Sequence, residues 1–110
     1  MGKFVIIRES SGGFQFYLKA ANGETLLSSD IYLTKTSCEN GIFSVKNNLR
    51  DASKLVRHIM EDGKAYFNIK AINERIIGTS QIYNSKELML KGITDLKIKV
   101  RIAIIEDHSN

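Results

Sequence analysis

The chain contains no proline, no tryptophan and one cysteine. A lone cysteine cannot close an internal disulfide, so a reducing cytoplasm is the expected compartment. No apolar run approaches the ~20 residues that a helix needs to cross a bilayer, so no membrane association is expected. Met1-Gly2-Lys3 leads straight into a strand-like pattern. It has neither a long apolar core nor a small-residue cleavage site, and so reads as carrying no secretory signal. Met1-Gly2 opens a myristoylation pattern, but Ile6 stands where Ser or Thr is required. No stretch rich in Pro, Gly or Ser lies near 50–54, so no linker separates two independent domains. Two distant histidines, His58 and His108, with one cysteine give no metal-ligand spacing. No metal and no cofactor are expected.

What is present suits a globular fold. Apolar residues make up 43% and charged residues 25% of 110, close to globular averages and against disorder. The formal charge of +4 permits an acidic partner, yet small domains carry such a charge for solubility alone.

Slid by about fifty residues, the sequence matches itself without a gap. Lys3 falls on Lys54, Val5 on Val56, Gly12 on Gly63 and Phe16 on Phe67. Lys19-Ala20 falls on Lys70-Ala71, Ser29 on Ser80, Ile31-Tyr32 on Ile82-Tyr83, and Gly41-Ile42 on Gly92-Ile93. The chain therefore reads as two repeats, 1–53 and 54–110, within one compact domain.

Each repeat reads as three strands and a helix. Lys3 to Arg8, echoed by Lys54 to Ile59, forms the first strand. Phe14, Phe16, Leu18 and Ala20 alternate with Gln15, Tyr17 and Lys19 in the second. Ala65, Phe67, Ile69 and Ala71 keep the same period, which marks half-buried antiparallel strands. Asn22-Gly23 predicts a type I′ hairpin turn. In the second repeat Glu74 replaces that glycine, which predicts a strained turn or one of another type. Thr34 and Ser85 are natural N-caps. Behind them Cys38, Ile42, Val45 and Leu49, and likewise Met89, Ile93, Leu96 and Val100, recur at helical spacing. Matched glycines at 41 and 92 predict helices lying close on the sheet. Arg101 to Glu106 reads as a last strand. Its counterpart in the first repeat would run into 54–60, so that strand is expected to be shared between the repeats. The expected fold is α+β: tandem β(3)-α-β repeats in one continuous antiparallel sheet, with both helices on one face.

These residues resemble a known family. Lys-Ala-Ala-Asn-Gly-Glu (19–24), Ser28-Ser29, Tyr32, Glu39-Asn-Gly-Ile42 and Ser44-Val-Lys46 look like the signature of the YegP-like family, a small bacterial domain of unknown function. The resemblance spans nearly the whole chain. It is weaker in the second repeat, where Leu90-Lys91-Gly92-Ile93 replaces Glu-Asn-Gly-Ile. It implies β(3)-α-β units, in tandem or as dimers, joined into one sheet with exchange of the last strand. It implies no activity, cofactor or catalytic residue.

The residues themselves carry little chemistry. Cys38 sits on an apolar helix stripe with Met89 at the matched site, and reads as a small core hydrophobe. His58 reads as a polar strand residue, and His108 as part of a frayed tail. Glu24 is matched by Arg75 and Asp30 by Gln81, so no carboxylate pair recurs. Gly12-Gly13 lies in a hairpin and lacks the spacing of a phosphate loop. No acid, base and nucleophile converge, so an enzyme is not expected. The expected function is a non-catalytic binding or interaction module with an unidentified protein partner, monomeric or weakly dimeric. The alternative is a single-stranded nucleic-acid module on the outer sheet face, using Tyr17, Lys19, Tyr66 and Lys70.

Overall fold

The computed structural model describes residues 2–110. The first half contains β1 (Lys3–Arg8), β2 (Phe14–Lys19), β3 (Thr25–Ser28) and helix α1 (Lys35–Asn48). The second contains β4 (Leu55–Ile59), β5 (Ala65–Lys70), β6 (Ile76–Ser80) and helix α2 (Lys86–Ile102), after which β7 (Ile104–His108) follows. The seven strands form one sheet in the order β4-β5-β6-β3-β2-β1-β7. The halves meet at β3 and β6, where Leu27 faces Ser80 and Ser28 faces Thr79.

Residues 51 apart, such as Lys3 and Lys54, occupy equivalent places in the two halves. Tyr17 faces Ser28, Ser28 faces Thr79, and Thr79 faces Asn68, so one row crosses the sheet with matched residues on either side of its centre. The alternating apolar face of the strands packs on the two helix stripes. Phe4, Ile6, Phe16, Leu18, Leu27, Phe67 and Ile69 join Cys38, Ile42, Val45, Leu49, Met89, Ile93, Leu96 and Val100 in one core. This is an α+β fold.

Four expectations need correction. The sheet is mixed: β7 runs parallel to β1, pairing Lys3 with Ile104 and Ile7 with His108. Helix α2 ends at Ile102, and Ile104 enters the sheet beside Lys3 at the start of β1, so β7 runs in the sense of β1. The strand expected at 54–60 is not shared, since β4 pairs with β5 alone and forms an edge. A short 3-10 turn, Ala52–Lys54, turns the chain directly into it. The last strand begins at Ile104 rather than Arg101, because α2 continues to Ile102. His108 accordingly ends a strand instead of fraying.

The hairpins correct the turn type as well. Gly23 N–H donates to Ala20 O at 2.9 Å, and Gly23 itself is left-handed with φ 86°. Asn22 keeps an ordinary φ, so this is a type I turn followed by a glycine bulge. Asn22 Oδ1 instead accepts from Glu24 N–H at 2.9 Å. Glu74 takes the glycine's place at φ 70° and is the strained residue of the second half.

Three matched devices fix the local geometry. Phe16 N–H donates to the buried Ser29 Oγ, and Phe67 N–H to Ser80 Oγ, each at 2.9 Å. Thr34 and Ser85 cap their helices, accepting from Ser37 N–H and Leu88 N–H at 3.1 Å. A side chain at Gly41 or Gly92 would overlap the hydroxyl of Tyr32 or Tyr83. The helical glycines thus make room for a tyrosine that precedes the helix, not for sheet backbone. Burial raises both tyrosine pKa values above the ordinary one.

Candidate interaction surface

The outer sheet face is made by the side chains that alternate with the core. Tyr17, Lys19, Tyr66 and Lys70 all lie on it, half-buried among neighbours. Lys19 Nζ lies 5.2 Å from the Tyr17 ring centre and also donates to Thr25 Oγ1. Tyr17 Oη donates to Gln15 Oε1 at 3.1 Å. Tyr66 stacks on His58, with ring centres 4.5 Å apart, and His58 Nε2 is 2.6 Å from Asn68 Oδ1. Lys70 is ion-paired to Glu74 at 2.7 Å. Tyr17 and Tyr66 stand three strand spacings apart, about 14 Å, and two residues out of row. The four residues share a face without forming a cluster, and each is engaged by a neighbour.

The two edges of the sheet differ more than its faces do. Beyond β1 lies β7, held from three sides. Lys3 Nζ pairs with Glu106 at 3.2 Å on the outer face. Lys35, at the start of α1, pairs with Asp107 at 2.8 Å on the helix side. Lys46 Nζ donates to Ala103 O at 3.0 Å where the strand begins. Lys35 and the hydroxyl and amide of Ser109 hold the Asp107 carboxyl well below the usual carboxylate range. Lys3 lowers Glu106 in the same sense.

Beyond β4, among the described residues, lies nothing. Its backbone presents one row of N–H and C=O groups to solvent. Val56 is half-buried where its match Val5 is buried, and Arg57 is exposed where its match Ile6 is fully buried. Ile59 is 54% and Met60 38% exposed at the far end of the strand. Sequence reasoning missed this edge. The signal was a charged residue, Arg57, on the core-facing side of a repeat whose other copy carries isoleucine.

Other candidates are structural. Cys38 is buried, and burial, helped by Glu39 and Asp107, pushes its thiol up to about 11. A thiol so shielded is a poor nucleophile at neutral pH. No cluster of three metal-ligating side chains occurs among the described residues. Among the described residues no helix is long and apolar enough to cross a membrane. Gly12 is a left-handed turn residue at φ 97°.

An α+β sheet of seven strands, built of two matched halves with an added parallel strand at one end, defines a small structural class. Solved structures share it. The solution NMR structure of YegP from Escherichia coli, 38% identical, aligns with a TM-score of 0.89 over 99% of this chain and 94% of that one. The solution NMR structure of a UPF0339 protein from Shewanella oneidensis, 36% identical, also gives 0.89, over 98% and 92%. A family model described as a domain of unknown function, DUF1508, matches twice, at residues 9–54 and 61–107. A UPF0339 protein of Acinetobacter baylyi is 42% identical over 106 residues, 96% of each chain. YegP of Escherichia coli K12 is 39% identical over 108 residues, 98% of each. The chain belongs to this YegP-like UPF0339 family, a bacterial family of unknown function.

Proposed function

We propose that this chain is a non-catalytic interaction module that pairs with a partner strand at the β4 edge. The observation that carries this reading is the inequality of two matched edges: β7 covers β1, and β4 stays bare. A bare edge is a template for strand addition, in which backbone hydrogen bonds give affinity and flanking side chains give selectivity. The test is a spectrum of isotope-labelled protein in bacterial extract. Broadening centred on Leu55 to Ile59 supports edge pairing. An unchanged spectrum removes it. Two bare edges meeting antiparallel would instead give a weak dimer, seen as concentration-dependent sedimentation.

A second reading is a single-stranded nucleic-acid module on Tyr17, Lys19, Tyr66 and Lys70. The Lys19–Tyr17 contact favours it, as a cation beside a ring that offers a stacking face. The pairing of Lys70 with Glu74 and the cover of His58 over Tyr66 weigh against it. Titration with oligonucleotides at two salt concentrations tests it. Binding that falls steeply with salt and disappears in Lys19→Ala/Lys70→Ala supports it, and absence of binding at low salt removes it.

A further inference from the structure

We infer that the β4 edge selects an acidic extended segment, bound parallel to β4 in the register that β7 adopts on β1. This rests on the edge-pairing reading above and names its partner's chemistry. The template is inside the molecule. On β1, β7 places Ile105 beside Phe4 on the helix side, Glu106 beside Val5 on the outer face, and Asp107 beside Ile6 under Lys35. Moving 51 residues along the chain turns Lys3 into Lys54, Phe4 into Leu55, Ile6 into Arg57 and Lys35 into Lys86. Both lysines that hold the carboxylates of β7 therefore recur beside the bare edge. Arg57 adds a third cation, next to the site that Asp107 occupies on the other side.

These cations differ in how free they are. Lys54 already meets Glu74 at 3.7 Å, a longer contact than the 2.7 Å that Glu74 makes with Lys70. Arg57 and Lys86 are exposed, and neither has an ion-pair partner among the described residues. A segment matching β7 would put its aliphatic residue beside Leu55, a first carboxylate towards Lys54, and a second between Arg57 and Lys86. A basic segment would meet three like charges there. The same cations that keep the bare edge from indiscriminate pairing leave it open to one charge type.

The probe is a synthetic peptide with the sequence of residues 103–110, blocked at both ends and titrated into the intact labelled protein. Two control peptides carry Gln and Asn, or two Lys, in place of its Glu and Asp. The expected result is amide shifts along Leu55 to Ile59 and at Lys86, with binding that weakens as salt rises. The Lys peptide should bind at least about tenfold more weakly, as should the acidic peptide to Arg57→Glu/Lys86→Glu. Equal binding of all three peptides at β4 leaves edge pairing standing and overturns the acidic preference. Shifts confined to β1 and β7 mean strand exchange, and overturn the inference. Shifts from no peptide overturn it too, while the extract spectrum judges edge pairing separately. The peptide controls hold even if the double variant folds poorly.

Discussion

The two halves of this molecule are built alike and end differently. Up to the helix they share strand order, a turn glycine at 12 and 63, buried serines, helix caps and tyrosine–glycine contacts. They part at the helix C-terminus. The chain leaving α1 turns through residues 52–54 into β4, the first strand of the next half. The chain leaving α2 adds β7 to β1 instead. The difference teaches that connectivity after the helix decides which edge is covered, and that the uncovered strand carries the charged residue, Arg57, where its covered match carries Ile6.

The comparison can be broken first at the core, where the halves should respond alike. Phe16→Ala and Phe67→Ala each remove a fully buried ring and should each cost about 3–5 kcal/mol, measured by denaturant unfolding. A large imbalance would show that one half carries most of the stability. The serines come next. Ser29→Ala and Ser80→Ala each leave a buried strand N–H without its acceptor and should cost about 1–3 kcal/mol. The third pair should differ in sign. Gly23→Ala inherits a left-handed backbone at φ 86° and should cost about 1 kcal/mol. Glu74→Gly removes the equivalent strain at φ 70° and should raise the melting temperature, although the contact with Lys70 is lost.

The smallest effect separates the edges by pH. Asp107 and Glu106 are both held below their ordinary values by lysine and hydroxyl or imidazole partners. A carboxylate lowered on folding adds stability above its unfolded pKa, and that stability is lost as pH falls through the lowered value. Amide exchange in β7 should therefore rise relative to β4 as pH drops from about 6 to about 2. Lys35→Ala should move that rise to higher pH. Parallel behaviour of the two edges would show that the ion pairs on β7 do not secure it.

Much of the fold was legible because the chain states it twice. Alternation in 14–20 and 65–71, the caps Thr34 and Ser85, and the two helix stripes all stand where the sequence put them. What the pattern could not carry was strand order. Period two tells which face of a strand is covered, not which neighbour lies beside it, so the place of β4 and the direction of β7 were hidden. The bulges in β3 and β6 were hidden for a related reason. Leu26 and Leu27 are both buried because the register shifts at Leu18/Lys19, and Ile77 with Gly78 repeats this at Ile69/Lys70. Consecutive apolar residues at both sites were the overlooked clue. The candidate surface was half legible: Tyr17, Lys19, Tyr66 and Lys70 were visible as outward residues, but the neighbours that engage them were not.

Seven is an odd number of strands, and a sheet of two matched halves with an odd count has a head and a tail. Two tails meeting across a twofold axis make a closed pair and stop. A last strand leaving its own β1 for the tail of the next molecule makes a joint that never closes, and repeats into a filament. By lying on its own β1, β7 acts as a terminator as well as a strand. The lysines that pin it there keep one end of the sheet paired, while β4 at the other end is paired on one side alone.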